Sequence, residues 1–178
     1  MRKLKNSELK RETVESFKSS EKIPLIIVLD NVRSANNVGS IFRTCDAFLV
    51  EKIYLCGITP VPPNRDIHKT ALGATDSVEW EYKKDTVELI DELRRQNITA
   101  IAIEQVEDSL NLNQMKVIKD EKFAFIFGNE VRGVDQKVIN VCDYCVEIPQ
   151  YGTKHSLNVS ISAGISIWNF FKDFSSHS

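Results

Sequence analysis

The chain has 178 residues, of which 42% are hydrophobic and 27% charged, a composition that suits one soluble globular domain with a real core. No apolar run approaches a membrane span, and the charged start Met1-Arg2-Lys3-Leu4-Lys5-Asn6 lacks the apolar stretch of a signal peptide, so a cytoplasmic protein with no membrane association is expected. A net charge of −2 argues against a strongly basic nucleic-acid binder.

Residues 4–20 are compatible with a mostly polar helix, with Leu4, Leu9, Val14 and Phe17 as a thin apolar set, and Pro24 closes this segment. Arg2, Lys3, Lys5, Lys10 and Arg11 outweigh Glu8 and Glu12 there. Residues 1–22 are therefore set apart as a basic helical arm, and residues 23–178 as a single domain. Leu25-Ile26-Ile27-Val28-Leu29 reads as a central strand ended by Asp30-Asn31. A polar turn then leads into a helix whose Val38, Ile41, Phe42, Cys45, Phe48 and Leu49 form one stripe. Asn36, Gly39 and Arg43 share a different face, so Arg43 points away from that stripe.

Lys52 to Gly57 is a second strand, and Pro60, Pro62 and Pro63 make residues 59–66 a loop. A helical turn is expected within residues 69–74, and a third strand over Ser77 to Tyr82. Asp85-Thr86-Val87-Glu88 has the form of a helix start, Val87, Ile90 and Leu93 give that helix a buried face, and Asn97 stops it. Ile98 to Ile103 is a fourth strand ending at Glu104-Gln105, while residues 109–121 carry no clear pattern. Phe123 to Phe127 is a fifth strand that stops at Gly128-Asn129-Glu130-Val131-Arg132-Gly133. A short helix over Asp135 to Val141 and a sixth strand over Tyr144 to Ile148 follow. From Ser156 to Phe171, Leu157, Val159, Ile161, Ala163, Ile165 and Ile167 alternate like a strand, but the length favours a helix. Such a helix would be apolar nearly all round, which points to a partner subunit. Uniformly apolar strands alternating with helices predict an α/β fold with a parallel sheet covered on both faces. Ligands of such sheets sit beyond the carboxyl ends of the strands, so the glycine-bearing loops after Phe127 and Ile148 draw attention first.

Several chemistries lack their sequence signatures. There is no G-x-x-x-x-G-K-[ST] phosphate loop, no G-x-G-x-x-G after a strand and no G-x-S-x-G. His155 beside Ser156 invites a nucleophile reading, but sequence neighbours rarely face each other as a triad requires. Cys142-Asp143-Tyr144-Cys145 has C-x-x-C spacing, yet Cys45 and Cys56 lie far from it and Cys145 falls within a strand. Reduced, buried thiols with no metal are the better reading.

What is present resembles one family. Asn37-Val38-Gly39 with Arg43-Thr44, then Phe127-Gly128-Asn129-Glu130 with Gly133, then Ile148-Pro149, and finally Ser156-Leu157-Asn158-Val159-Ser160 look like the three ordered motifs of the SpoU/TrmH RNA ribose methyltransferases. That resemblance runs from about Leu25 to Phe171. It implies the SPOUT fold, with the C-terminal part threaded as a deep trefoil knot, and a homodimer. It also implies S-adenosylmethionine as cofactor, held by Ile103, Glu104, Gly128, Ile148 and Leu157. Gly128 would allow the backbone to approach that ligand.

The implied reaction is methyl transfer to a ribose 2′-hydroxyl of tRNA or rRNA. Arg43 is the catalytic candidate, with Asn37, Glu130, Ser156 and Asn158 around it in one cleft. Guanidinium scarcely deprotonates, so Arg43 is better suited to clamp a phosphate, and whether it also takes a proton stays open. Arg2, Lys3, Lys5, Arg65, Lys69, Arg132 and Lys154 are the candidate RNA contacts. Two other readings compete: a non-catalytic RNA-binding or assembly protein on the same fold, and a flavodoxin-like nucleotide-binding domain that leaves the motifs unexplained.

Overall fold

In the computed structural model, which describes residues 1–5, 8, 12–118 and 120–176, the apolar runs form the interior of one sheet. Its strands are β1 (Ile23–Asp30), β2 (Val50–Cys56), β3 (Glu79–Lys83), β4 (Ile98–Ile103), β5 (Leu110–Asn111), β6 (Lys122–Phe127) and β7 (Tyr144–Glu147). They lie in the order β3-β2-β1-β6-β4-β7-β5, and every neighbouring pair is parallel. Side chains alternate between the two faces. Leu25, Ile27, Leu29, Phe123, Phe125 and Phe127 enter one core, while Ile26, Val28, Ala124 and Ile126 enter another on the opposite side. Because both faces are covered, the central strands need no polar alternation.

The larger core is roofed by α1 (Val14–Ser19), α2 (Ala35–Ala47), α3 (Arg65–Ala71), α4 (Ala74–Ser77) and α7 (Val159–Ser176). The smaller is closed by α5 (Thr86–Arg95) and α6 (Gln136–Ile139). Phe170 of α7 sets its ring edge-on to Phe123 and Phe125, with centroids 5.7 and 5.8 Å away. It is fully buried, and its loss to alanine would cost about 3–5 kcal/mol. Helix α7 also leaves an apolar stripe uncovered: Ile161, Ile165 and Trp168 are 53%, 38% and 52% exposed.

α2 and α3 approach so closely that a Cβ on Gly39 would stand 2.1 Å from Thr70 Oγ1 and 2.3 Å from the Ile67 carbonyl oxygen. No described helix is long and apolar enough to cross a membrane.

β7 lies between β4 and β5, although both precede it in the chain. Residues 104–109 thus bridge from β4 to β5 across the carboxyl end of β7. That bridge is the loop which a threaded C-terminus of the expected kind would use.

Three expectations need correction. The first helix is not continuous over residues 4–20: Thr13 has an extended backbone and caps a helix that begins only at Val14, accepting from Ser16 N–H. Leu9, Lys10 and Arg11 lie outside the described residues. Arg65 and Asp66 belong to α3 rather than to a loop, because Asn64 Oδ1 accepts from the N–H groups of Asp66 and Ile67 at 2.9 and 3.3 Å. Ser77 ends α4 instead of opening β3, with its hydroxyl donating to Asp46 and to the Ala74 carbonyl. The unassigned stretch after Ser109 holds β5 and a 3-10 turn at Leu112–Gln114.

Candidate active site

At the end of β1, Asn31 adopts a left-handed backbone with φ of 56° and turns the chain toward α2. Val32 N–H donates to Thr59 Oγ1, whose hydroxyl donates to the Leu29 carbonyl, both at 3.0 Å. The turn is thus pinned before the helix begins. Ser34 caps α2 and accepts from Asn37 N–H at 3.3 Å. The N–H groups of Arg33 and Ser34 each donate to the Glu130 carboxylate at 2.9 Å, and Asn37 Nδ2 donates to it at 3.0 Å. A helix N-terminus, with unpaired N–H groups and a positive dipole end, favours an anion there. Partial burial pushes the Glu130 carboxyl up, but the donors from Arg33, Ser34 and Asn37 outweigh it and hold the group below its ordinary value.

Asn37 Oδ1 accepts from Asn158 Nδ2 at 3.2 Å. Asn158 Oδ1 accepts from the N–H and hydroxyl of Ser160 at 2.8 and 2.6 Å. Three residues remote in sequence therefore form one chain of hydrogen bonds, Glu130–Asn37–Asn158. The loop carrying Glu130 is rigid for a local reason. Asn129 and Gly133 exchange backbone hydrogen bonds at 2.8 and 2.9 Å. Asn129 Oδ1 also accepts from the N–H groups of Val131 and Arg132, at 2.9 and 3.2 Å.

Beside this chain a cleft of about 350 Å³ opens at the carboxyl ends of β4, β6 and β7. Ile103, Phe127, Ile148 and Leu157 give it apolar walls, while Glu104, Glu130 and Glu147 bring three carboxylates and Arg132 and His155 the basic groups. Its size falls within the range of small-molecule sites. Flat apolar walls suit an aromatic heterocycle, and carboxylates suit a cation. Glu104 also fastens the cleft's own frame, accepting from Val134 N–H at 3.0 Å through one oxygen and from Gln105 N–H at 2.9 Å through the other.

Ile103, Glu104, Gly128, Ile148 and Leu157, expected at a cofactor site, all line the cleft, as do Glu130, Ser156 and Arg132. Asn37 and Asn158 adjoin it through Glu130. Arg43 does not join them. It lies six residues beyond Asn37, roughly 9 Å along the axis of α2, is exposed, and borders a separate depression with Thr13, Asp46 and Asp76. The single cleft expected for five residues thus holds or adjoins four. The reason expected for Gly128 also changes. A Cβ there would meet the chain's own backbone, 2.1 Å from Gly133 C and Val134 N, so the loop itself requires the glycine. Arg2, Lys3, Lys5, Arg65, Lys69 and Lys154 are all exposed and lie outside the cleft, with Arg2 paired to Glu8 at 2.8 Å.

Sequence reading missed Gln105, Phe127, Glu147, Gln150 and Val159 as lining residues. Strand-end position was the available signal, since Phe127 and Glu147 close β6 and β7. The backbone donors of Arg33 and Ser34 left no sequence signal at all. All four cysteines are free. Burial pushes the Cys142 thiol up to about 12, with Cys145 and Asp143 adding to it, and Cys56 likewise to about 12. Protonated thiols are poor nucleophiles and poor metal ligands.

Comparison with known proteins adds the following. A profile of the SpoU rRNA Methylase family matches residues 24–168. The 23S rRNA (guanosine-2′-O-)-methyltransferase RlmB of Nitrosomonas europaea is 31% identical over 155 residues, covering 85% of this chain and 57% of that protein. The crystal structure of the A. aeolicus TrmH/SpoU tRNA modifying enzyme superposes with a TM-score of 0.80 at 25% identity, covering 92% of this chain and 81% of that one. The SpoU methyltransferase AviRb from Streptomyces viridochromogenes, solved with the cofactor AdoMet, shares the fold with a TM-score of 0.79 at 22% identity, over 89% of this chain and 64% of that one. This chain spans less than two thirds of the length of the first curated relatives it matches.

Proposed function

Because this chain belongs to the SpoU rRNA methylase family, we propose that it transfers a methyl group from S-adenosylmethionine to a ribose 2′-hydroxyl of tRNA or rRNA. The observation that carries this reading is the Glu130–Asn37–Asn158 hydrogen-bond chain alongside a cleft with apolar walls and three carboxylates. S-adenosylmethionine supplies, when bound, an electrophilic methyl on a cationic sulfur. Ile103, Phe127, Ile148 and Leu157 are the residues to enclose an adenine, and Glu104, Glu130 and Glu147 favour the positive end of such a donor over an anion.

The carbon–sulfur bond must break as the new bond to O2′ forms, releasing S-adenosylhomocysteine, and the hydroxyl proton passes to solvent water. Glu130 is a weak base for that task, since three donors already occupy its carboxylate and lower its pKa. Its part is to fix Asn37, which in turn fixes Asn158. Ser156, which lines the cleft, would hydrogen-bond the incoming ribose. Since Arg43 does not border the donor cleft, we assign it to the RNA, on the phosphate beside the target ribose. From there it positions the RNA backbone relative to the cleft.

Two copies would pack through the Ile161, Ile165 and Trp168 stripe, giving a homodimer, and an RNA substrate would put the reaction in the cytoplasm. The test uses methyl-labelled S-adenosylmethionine and total RNA from cells lacking the protein. Ribose 2′-O-methylation removes the hydroxyl that alkali needs to cleave RNA, so label should persist in alkali-resistant dinucleotides. Donor binding by calorimetry with no label in RNA would favour the non-catalytic assembly protein instead.

A further inference from the structure

A second crevice, of about 520 Å³, opens at the carboxyl ends of β1 and β6. The strand order makes this the point where the sheet changes direction: β2 and β3 extend from β1 on one side, and β6 and β4 on the other. Open α/β sheets bind ligands at such a switch point, whereas the donor cleft lies to one side, at β6, β4 and β7. The two cavities share Val131, Arg132 and Gly133 as a common wall.

The groups around this crevice divide into occupied and free. Asn31 Oδ1 accepts from Ile58 N–H at 3.2 Å, and Asn129 Nδ2 donates to the Asn31 carbonyl at 2.9 Å. Asp30 is 2% exposed and accepts from the Thr86 hydroxyl at 2.6 Å, from Asn31 Nδ2 at 3.0 Å and from Asp135 N–H at 3.3 Å. Arg33 and Arg132 differ: both are exposed, and among the described residues neither guanidinium has a hydrogen-bond or ion-pair partner. Ile58 and Val131 add uncovered apolar surface, 65% and 78% exposed.

We propose that this crevice takes the nucleotide of the substrate RNA next to the methylated one, with a phosphate held between Arg33 and Arg132 and the base turned inward against Ile58. The inference rests on the methyltransferase reading. The orientation follows from charge. Asp30 and Asp135 line the same crevice and repel a phosphate, so the backbone stays at the rim with the guanidiniums. The base, which carries N–H donors and an apolar face, meets the exposed Asp135 carboxylate and the aliphatic wall. Arginine is suited to the outer role because its planar fork matches phosphate oxygens. The shared wall then spaces the neighbouring ribose toward the donor.

The test is methylation kinetics on total RNA from cells lacking the protein, with donor affinity measured by calorimetry. Arg33→Gln should raise KM for RNA about tenfold with kcat within about twofold, and should flatten the log–log salt dependence of RNA binding by about 0.7, the share of one phosphate contact on a single strand. Donor affinity should not change. Arg33→Lys, which keeps the charge, should restore the salt slope, and Ile58→Ala should raise KM while leaving that slope alone. A wild-type KM and salt slope in Arg33→Gln would overturn the inference and leave the methyltransferase reading standing. A slope that Arg33→Lys fails to restore would also overturn it, by tracing the effect to structure. A wild-type protein that methylates no RNA would remove the methyltransferase reading, and the inference with it.

Discussion

Replacing Gly128 by alanine separates two reasons for a glycine at the rim of the donor cleft. If the position were reserved for a ligand, the ligand-free protein would tolerate a methyl group there and only donor binding would suffer. The geometry says otherwise. The new Cβ would lie 2.1 Å from both Gly133 C and Val134 N, and 2.3 Å from the Gly133 carbonyl oxygen. These are backbone atoms in a loop cross-braced by Asn129 and Gly133, so no side chain can swing aside. Overpacking of this kind costs about 3 kcal/mol. A stiffer unfolded chain returns about 0.4–1 kcal/mol, leaving a net loss of about 2 kcal/mol. For a protein of this length that lowers Tm by about 4–8 °C. Urea and thermal unfolding of the ligand-free protein measure it directly. Donor affinity should fall as well, because the displaced loop carries Glu130 and lines the cleft. A ligand-free Gly128→Ala protein that melts with the wild type would refute the reasoning.

Three further outcomes are expected. Glu130 has a folded pKa below its ordinary value of 4.5, so the unfolded chain binds the extra proton first and the carboxylate's contribution is complete above that value. Wild type should exceed Glu130→Gln in stability by about 1 kcal/mol at pH 7, a figure discounted for the exposure of the group. The gap should close as pH falls through the folded pKa, and pH-dependent urea midpoints that stay parallel down to pH 3 would contradict it. Arg43→Ala should abolish methyl transfer while calorimetry shows unchanged donor affinity, because Arg43 borders a different depression; loss of donor binding would show its role is misassigned. Ile165→Asp, in the exposed stripe of α7, should convert a dimer to a monomer in sedimentation velocity, and an unchanged mass would place the interface elsewhere.

The sheet was legible because its strands are buried on both faces. Ile98 to Ile103 could be read to the residue, and Asp85 announced α5 through a cap whose oxygen accepts from Val87 and Glu88 N–H. Legibility failed where local chemistry competed with pattern. Asn64 capped a helix that three prolines had disguised as loop, and Ser77 sat in a helical turn whose β-branched and aromatic successors read as strand. Strand β5 is two residues long and exists only because β7 lies beside it, which no window of sequence can reveal. Of the site, the strand ends and their glycines could be found from pattern, and family resemblance alone gathered Asn37, Glu130 and Asn158 in one place, but their hydrogen-bonded pairing left no signal in the sequence. Position on α2 correctly turned Arg43 from the core, yet a helical wheel holds no information about which of two hollows it borders.

The placing of β7 between two strands made earlier has a consequence for synthesis. Leu110–Asn111 emerges from the ribosome without the strand it will pair with, and Ile148 and Leu157, two walls of the cleft, are translated later still. A nascent chain halted before Tyr144 lacks β7, the α7 roof of the larger core and two walls of the cleft. The cleft is therefore complete only once the last third of the chain has been made.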